Sequence, residues 1–282
     1  MSVPQTLKVL LKEIGADRRS GAHALAERAA EGIKGYLQGG GEWGEEVAEV
    51  LCRGLMEAQP SMAPLLNLAE RLKGCKTSQE TEGKVDEFLR SLREGTEAVL
   101  QEARGVIEGK RVVTHSYSFT VMEAFGRWRP QEVLCPEGRP LCEGVRTARE
   151  LGERGIRVQV VVDGAAVALL RGWQCVVVGA DALTPQGLIN KVGTYALALG
   201  ARREGIPFFV LAGWEKFLSE GTLEHLRIEE RPPEEVTSET IPSGRIRNIY
   251  FDITPWDLIE GVITPQGLLK GGDLPLKKGA LP

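Results

Sequence analysis

The hydrophobic rhythm of this chain changes once, near Lys110, and that change limits the available folds more than any other feature. From Pro4 to about Gly109 apolar residues recur every three or four positions, the spacing of helices that pack along one face. Val85, Phe88, Leu89, Leu92, Val99, Ala103 and Val106 form one such stripe, with Glu82, Lys84, Arg90, Arg93 and Glu97 mostly off it. Interruptions at Gly39-Gly40-Gly41, Pro60-Ser61 and Lys73-Gly74 read as helix ends, with Ser61 as an N-cap, so a bundle of about four or five helices is expected. After Lys110 the pattern becomes short β-branched runs separated by helical segments, the mark of parallel β-α-β units. The expected strands are Arg111 to Thr114, Glu132 to Cys135, Val158 to Val162, Cys175 to Val178, Phe208 to Leu211 and Ile249 to Phe251. Their continuous apolar character suits burial on both faces. The length of 282 residues agrees with two units. The expected organisation is a helical N-terminal domain over 1–109 and a doubly wound α/β domain over 110–282. No internal repeat is expected, and the charged stretch Glu229 to Glu235 reads as a solvated loop.

Composition excludes several functions. Hydrophobic residues at 42% and charged residues at 26% supply a folded core, and 35 basic against 39 acidic residues leave no global field for nucleic acid or an anionic membrane. Cys52, Cys75, Cys135, Cys142 and Cys175 are odd in number and form no C-x-x-C pair, which argues against a disulfide scaffold or zinc site. His23, His115 and His225 lack metal-ligand spacing, so no metal is expected. The first fifteen residues carry Lys8, Lys12 and Glu13, which fits an amphipathic helix better than a signal peptide. No apolar run is long enough to span a membrane, and a cytoplasmic location is expected. Neither G-x-G-x-x-G after a strand nor G-x-x-x-x-G-K-[ST] occurs, so no dinucleotide or other cofactor is expected.

In an open parallel sheet the ligand lies beyond the carboxyl ends of the strands. Those positions carry His115-Ser116-Tyr117-Ser118, Glu137-Gly138-Arg139-Pro140, Asp163-Gly164, Gly179-Ala180-Asp181, Ala212-Gly213, and Asp252 with Thr254. Asn190-Lys191 reads as the start of the helix after Asp181, where backbone N–H groups favour an anion, and Arg139 offers a planar fork for phosphate. Bland readings stand beside these: a surface Arg139, a turn-capping Asp181, an exposed helix start at 190–191, a structural His115, and helix-capping serines at 116 and 118. Together, the expectation is one pocket for a phosphorylated small molecule. Cys135 and Cys142 lie near the crevice in sequence, and small buried cysteines usually serve packing.

Thr114-His115-Ser116-Tyr117-Ser118, Arg139-Pro140 with Glu143-Gly144, Gly179-Ala180-Asp181, Asn190-Lys191-Val192-Gly193-Thr194-Tyr195, and Arg247-Asn248 with Phe251-Asp252-Ile253-Thr254-Pro255 together resemble one family. It is that of the initiation factor 2B alpha, beta and delta subunits, which also contains methylthioribose-1-phosphate isomerase and ribose-1,5-bisphosphate isomerase. Pro60-Ser61-Met62-Ala63 and Asn67-Leu68-Ala69 extend the resemblance into the helical half. It implies a Rossmann-like second domain and a homodimer or larger homo-oligomer. In the family's isomerases a cysteine after the first strand and an aspartate after the fourth interconvert an aldose and a ketose 1-phosphate. The aspartate corresponds to Asp181, whereas Ser116 holds the cysteine's place. A serine hydroxyl is a far weaker acid than a thiol with a pKa near ~8.5. The family's Arg-Gly-Ala phosphate signature becomes Arg18-Arg19-Ser20-Gly21-Ala22, so Arg19 or Arg18 with Gly21 and Ala22 would reach the ligand.

Three functions follow as expectations. The first is a non-catalytic or weakly catalytic protein that binds a sugar phosphate or nucleotide through Arg19, Gly21, Ala22, His115, Arg139, Asn190 and Lys191. The second is an aldose–ketose isomerase with Asp181 as general acid/base and Ser116, His115 or water in place of the thiol. The third is a protein-interaction subunit acting in translation.

Overall fold

A computed structural model describes residues 4–218 and 220–276. The helical half contains α1 (Gln5–Ala16), α2 (Ala22–Gln38), α3 (Glu45–Ala58), α4 (Ala63–Leu72), α5 (Ser78–Glu102) and the single turn α6 (Arg104–Ile107). Helix α5 shows how the local sequence sets a start: Thr77 accepts from Glu80 N, while the Glu80 carboxylate reaches back to Lys76 N. Ser61 has a different task from the expected cap. Met62 occupies the N-cap of α4, and the Ser61 hydroxyl donates to Arg227 O, tying the helical half to a distant segment.

The second half runs β1 (Arg111–Val113), α7 (Phe119–Trp128), β2 (Glu132–Pro136), α8 (Glu143–Glu153), β3 (Val158–Val161), α9 (Asp163–Ala168) and β4 (Cys175–Val178). It continues through β5 (Ala182–Thr184), β6 (Gly187–Lys191), α10 (Thr194–Glu204), β7 (Phe208–Leu211), α11 (Glu220–Leu223), β8 (Phe251–Thr254), β9 (Gly261–Thr264) and β10 (Gly267–Leu269). Seven strands form one sheet in the order β10-β9-β7-β4-β1-β2-β3, parallel except for β10 against β9. The chain winds outward from β1 through β2 to β3, then returns to β4 on the other side of β1 and continues to β7 and β9. The order therefore reverses between β1 and β4, and a crevice opens there. This mixed α/β architecture, helices first and a mostly parallel sheet after, is the one the sequence predicts.

Three details depart from that reading. The expected strand at Ile249 to Phe251 is displaced to β8 and leaves the main sheet, joining β5 and β6 in a separate antiparallel sheet of order β5-β6-β8. Strand β3 is not buried on both faces, because it forms the sheet edge and Val160 stays exposed. A short repeat also exists. Thr-Pro-Gln-Gly turns both the β5–β6 and the β9–β10 hairpins, and in each the threonine hydroxyl donates to the glycine carbonyl and accepts from the glutamine N–H.

The small sheet lies between two cores. Ala182 and Ile189 pack with the helical half, including Leu25, Leu65 and Leu89, while Leu183 and Leu188 pack with the α/β half, including Val176 and Phe208. Alternation along β5 and β6 thus turns successive side chains to opposite halves of the molecule.

Candidate functional site

The crevice between β1 and β4 deepens into a cavity of about 160 Å³, roofed by the start of α2. Its floor comes from the ends of β1 and β4 and from β6, and its far wall from Lys216, Arg231 and Tyr250. Of the residues expected from the sequence, Arg19, Gly21, Ala22, His115, Ser116, Asp181, Asn190 and Lys191 all line it. Arg139 does not. Its backbone N–H, with that of Gly138, donates to the Asp163 carboxylate, and its exposed guanidinium turns to Val236 O at 2.8 Å and Glu235 O at 3.5 Å. The expected phosphate fork instead fastens the segment that carries Arg231.

A second correction concerns Asn190 and Lys191. They lie on strand β6, not at a helix start, because Leu188 to Lys191 pairs with β8. Helix α10 begins at Thr194, with Asp252 accepting from Gly193 N and Tyr195 N. Two helix N-termini reach the cavity, that of α7, capped by Ser118, and that of α2. At α2 the backbone donors stay open. No side chain caps it, and its first backbone bond runs from Leu25 N to Gly21 O, so the amides of Ala22, His23 and Ala24 lack helical partners. Such a terminus, seventeen residues of aligned peptide behind it and Arg18 and Arg19 beside it, suits an anion.

The interior is electrically more balanced than the mouth. Lys191 Nζ lies 2.8 Å from Glu143 Oε1, with both side chains largely withdrawn from solvent, and 4.7 Å from the centre of the Tyr250 ring. That ammonium is already compensated. Lys216 is only 5% exposed, and no hydrogen bond or ion pair holds its ammonium among the described residues; burial pushes its pKa down, opposed by Glu215 and Asp181. The Asp181 backbone is fixed by Asp181 N to Ile189 O and Ala63 N to Asp181 O, while its carboxyl faces the cavity. Burial raises that carboxyl to about 6, against the pull of Lys216 and Lys191. A carboxyl poised there exchanges protons near neutral pH.

His115 is buried and held neutral by desolvation; its Nε2 donates to Val192 O at 2.9 Å, leaving Nδ1 without a partner. Ser116 sits at φ 65°, a left-handed conformation that few non-glycine residues adopt, and its carbonyl accepts from Thr147. Ser118 does cap α7, accepting from Val121 N. No cysteine lines the cavity. Cys135 is buried, its thiol pushed to about 12 by desolvation, and Cys142 lies at the start of α8.

Several lining residues escaped the sequence reading. Lys216 follows β7 by a few positions, just past the Ala212-Gly213 pair that was singled out. Arg231 comes from the stretch read as a solvated loop. Its guanidinium bonds Gln59 Oε1 at 3.1 Å and lies 5.6 Å from the Tyr250 ring, while Glu235 accepts from Asn248 and Tyr250. Charge and prolines concealed a strap with one face inward.

The doubly wound sheet with a crevice at its strand-order reversal places the chain in the class of open, mostly parallel α/β proteins. A model of the initiation factor 2 subunit family matches residues 6–271, and the chain belongs to that family. The Pyrococcus horikoshii translation initiation factor eIF-2B is similar in structure, with a TM-score of 0.83 and 31% identity, over 95% of this chain and 98% of that one. Ribose 1,5-bisphosphate isomerase of Methanocaldococcus jannaschii is 32% identical, over 95% of this chain and 93% of its own length. The fold also recurs in the tetrameric eIF2B-beta2-delta2 complex from C. thermophilum, at TM-score 0.70 and 17% identity, over 96% of this chain and 93% of that one. No helix among the described residues is long and apolar enough to cross a membrane.

Proposed function

We propose that the cavity binds a phosphorylated sugar or nucleotide and performs little or no isomerisation. The observation that carries this reading is the pairing of an uncapped α2 N-terminus with the uncommitted Lys216 and Asp181 in a cavity that no cysteine lines. The phosphate sits at the amides of Ala22 and His23 with Arg18 or Arg19, and the sugar extends inward, where Asp181 and Asn190 meet its hydroxyls. Ser116 in place of a thiol removes the acidic side chain that would pass a proton to or from the sugar's second carbon opposite Asp181. Titration calorimetry with ribose phosphates, sugar bisphosphates and nucleoside monophosphates tests the reading: binding at or below the millimolar range supports it, and silence with all of them removes it.

Asp181 itself favours a second reading. A carboxyl near 6 suits general acid–base work, and proximity to one placed base gives some rate. On that reading the protein is an aldose–ketose isomerase acting on a ribose 1-phosphate derivative. Turnover followed by NMR and abolished in Asp181→Asn supports it; turnover that survives the substitution rejects Asp181 as the base. A role as a translation subunit draws on the eIF-2B-like relative, and co-purification with a translation factor from native extract is its test. The five cysteines, all free, suit a reducing cytoplasm.

The partner in assembly is proposed to be a second copy of the chain. Val162, Leu169, Tyr195 and Leu199, all more than 40% exposed, lie on or next to α9 and α10, two helices that pack against each other. An apolar face of that kind marks an interaction surface.

A further inference from the structure

We infer that the ligand carries an aromatic base, making it a nucleoside monophosphate, and that Phe119 is the platform on which the base stacks. This rests on the phosphate-binding reading above and deepens it. Phe119 is the first residue of α7, immediately after its Ser118 cap, so its backbone position is fixed by the turn that leaves β1. One face of its ring stacks on His23 of α2, with centroids 4.6 Å apart and planes 18° from parallel. His23 is buried and, by desolvation and the nearby Lys216, held down to about 4, so the imidazole is a neutral, fixed backing. Yet Phe119 remains 38% exposed and lines the cavity. A large apolar ring backed on one face by His23 and still part-exposed to the cavity offers area that a flat ligand group can cover.

The neighbouring aromatic differs in this respect. Tyr117, two residues earlier on the same loop, already carries the Arg146 guanidinium 3.8 Å from its ring centre and bonds Glu150 through its hydroxyl. Phe119 is thus the aromatic of this loop with an uncovered face, and it stands beside the α2 amides proposed to hold the phosphate. A ribose monophosphate anchored at those amides places its base within reach of that ring. Every nucleobase has a π-face, so the contact selects for a base without reading which one.

The experiment is calorimetric titration of the full chain with ribose 5-phosphate and with adenosine 5′-monophosphate, in the wild type, Phe119→Ala and Phe119→Trp. The nucleotide is expected to bind about tenfold or more tightly than the sugar phosphate; Phe119→Ala removes that advantage while ribose 5-phosphate affinity stays within about twofold, and Phe119→Trp restores it. Equal affinities for the two ligands in the wild-type protein overturn the inference while leaving the phosphate reading standing. So does a Phe119→Ala protein that weakens on both ligands alike. Binding of ribose 5-phosphate without the nucleotide overturns the inference alone, and failure of both ligands to bind the wild type removes both readings. The wild-type comparison decides the matter if the alanine variant does not fold.

Discussion

Asp181 is where local physics and chemistry meet most directly. In the unfolded chain its carboxyl titrates near 3.9, and in the fold near 6. Between those values the folded state keeps a proton that the unfolded state has released, so this residue's contribution to stability falls as pH rises through about 4 to 6. Asp181→Asn is therefore expected to stabilise the protein by about 1–3 kcal/mol at pH 8, with the difference shrinking toward zero below pH 4. Urea denaturation of both proteins across that range reads it, and an Asn variant that is less stable at pH 8 contradicts the burial argument. Asp181 was legible in the sequence because it ends a strand after Gly179-Ala180. Arg139 was misassigned for the opposite reason: it also follows a strand, but its side chain is long enough to turn outward to the strap at 235 and 236. A position at a strand end fixes where a Cα lies, not where a flexible guanidinium goes.

At the scale of elements, strands β4 and β7 match the sequence reading to the residue, since buried parallel strands are runs of apolar residues with turn signals on either side. The small antiparallel sheet did not emerge from the sequence, where 190–191 read as a helix start. Leu183, Leu188 and Ile189 are apolar without the wet face that normally betrays an antiparallel strand, because the hairpin is covered on both sides by the two cores. The Thr-Pro-Gln-Gly turn between its strands needs its glycine. Gly187 has φ +150°, and an added Cβ would lie 2.2 Å from Thr254 O of the paired strand. Gly187→Ala is expected to cost at least about 2 kcal/mol in chemical denaturation and to weaken ligand binding, since Asn190 and Lys191 ride on the same strand. A variant with unchanged stability would show that the hairpin accommodates the methyl group by moving.

For the molecule as a whole, the proposed second copy has a direct test. Introducing charge at the apolar face, with Val162→Glu and Leu199→Glu together, is expected to convert a dimer to a monomer by light scattering coupled to size exclusion, with helical content unchanged. A wild-type protein that runs as a monomer at tens of micromolar removes the proposal. The face was not readable beforehand. Val162 reads as the end of a buried strand, whereas β3 is the sheet edge and stops at Val161, which leaves Val162 uncovered.

Strand β6 presents Ile189 to the helices, Leu188 to the main sheet, and Asn190 and Lys191 to the cavity. The joint between the halves and the floor of the binding site are consequently one stretch of backbone. Rocking either half against the other must drag the ligand's own contacts with it. An occupant of the kind proposed would act as a wedge in the joint and set the tilt between the halves.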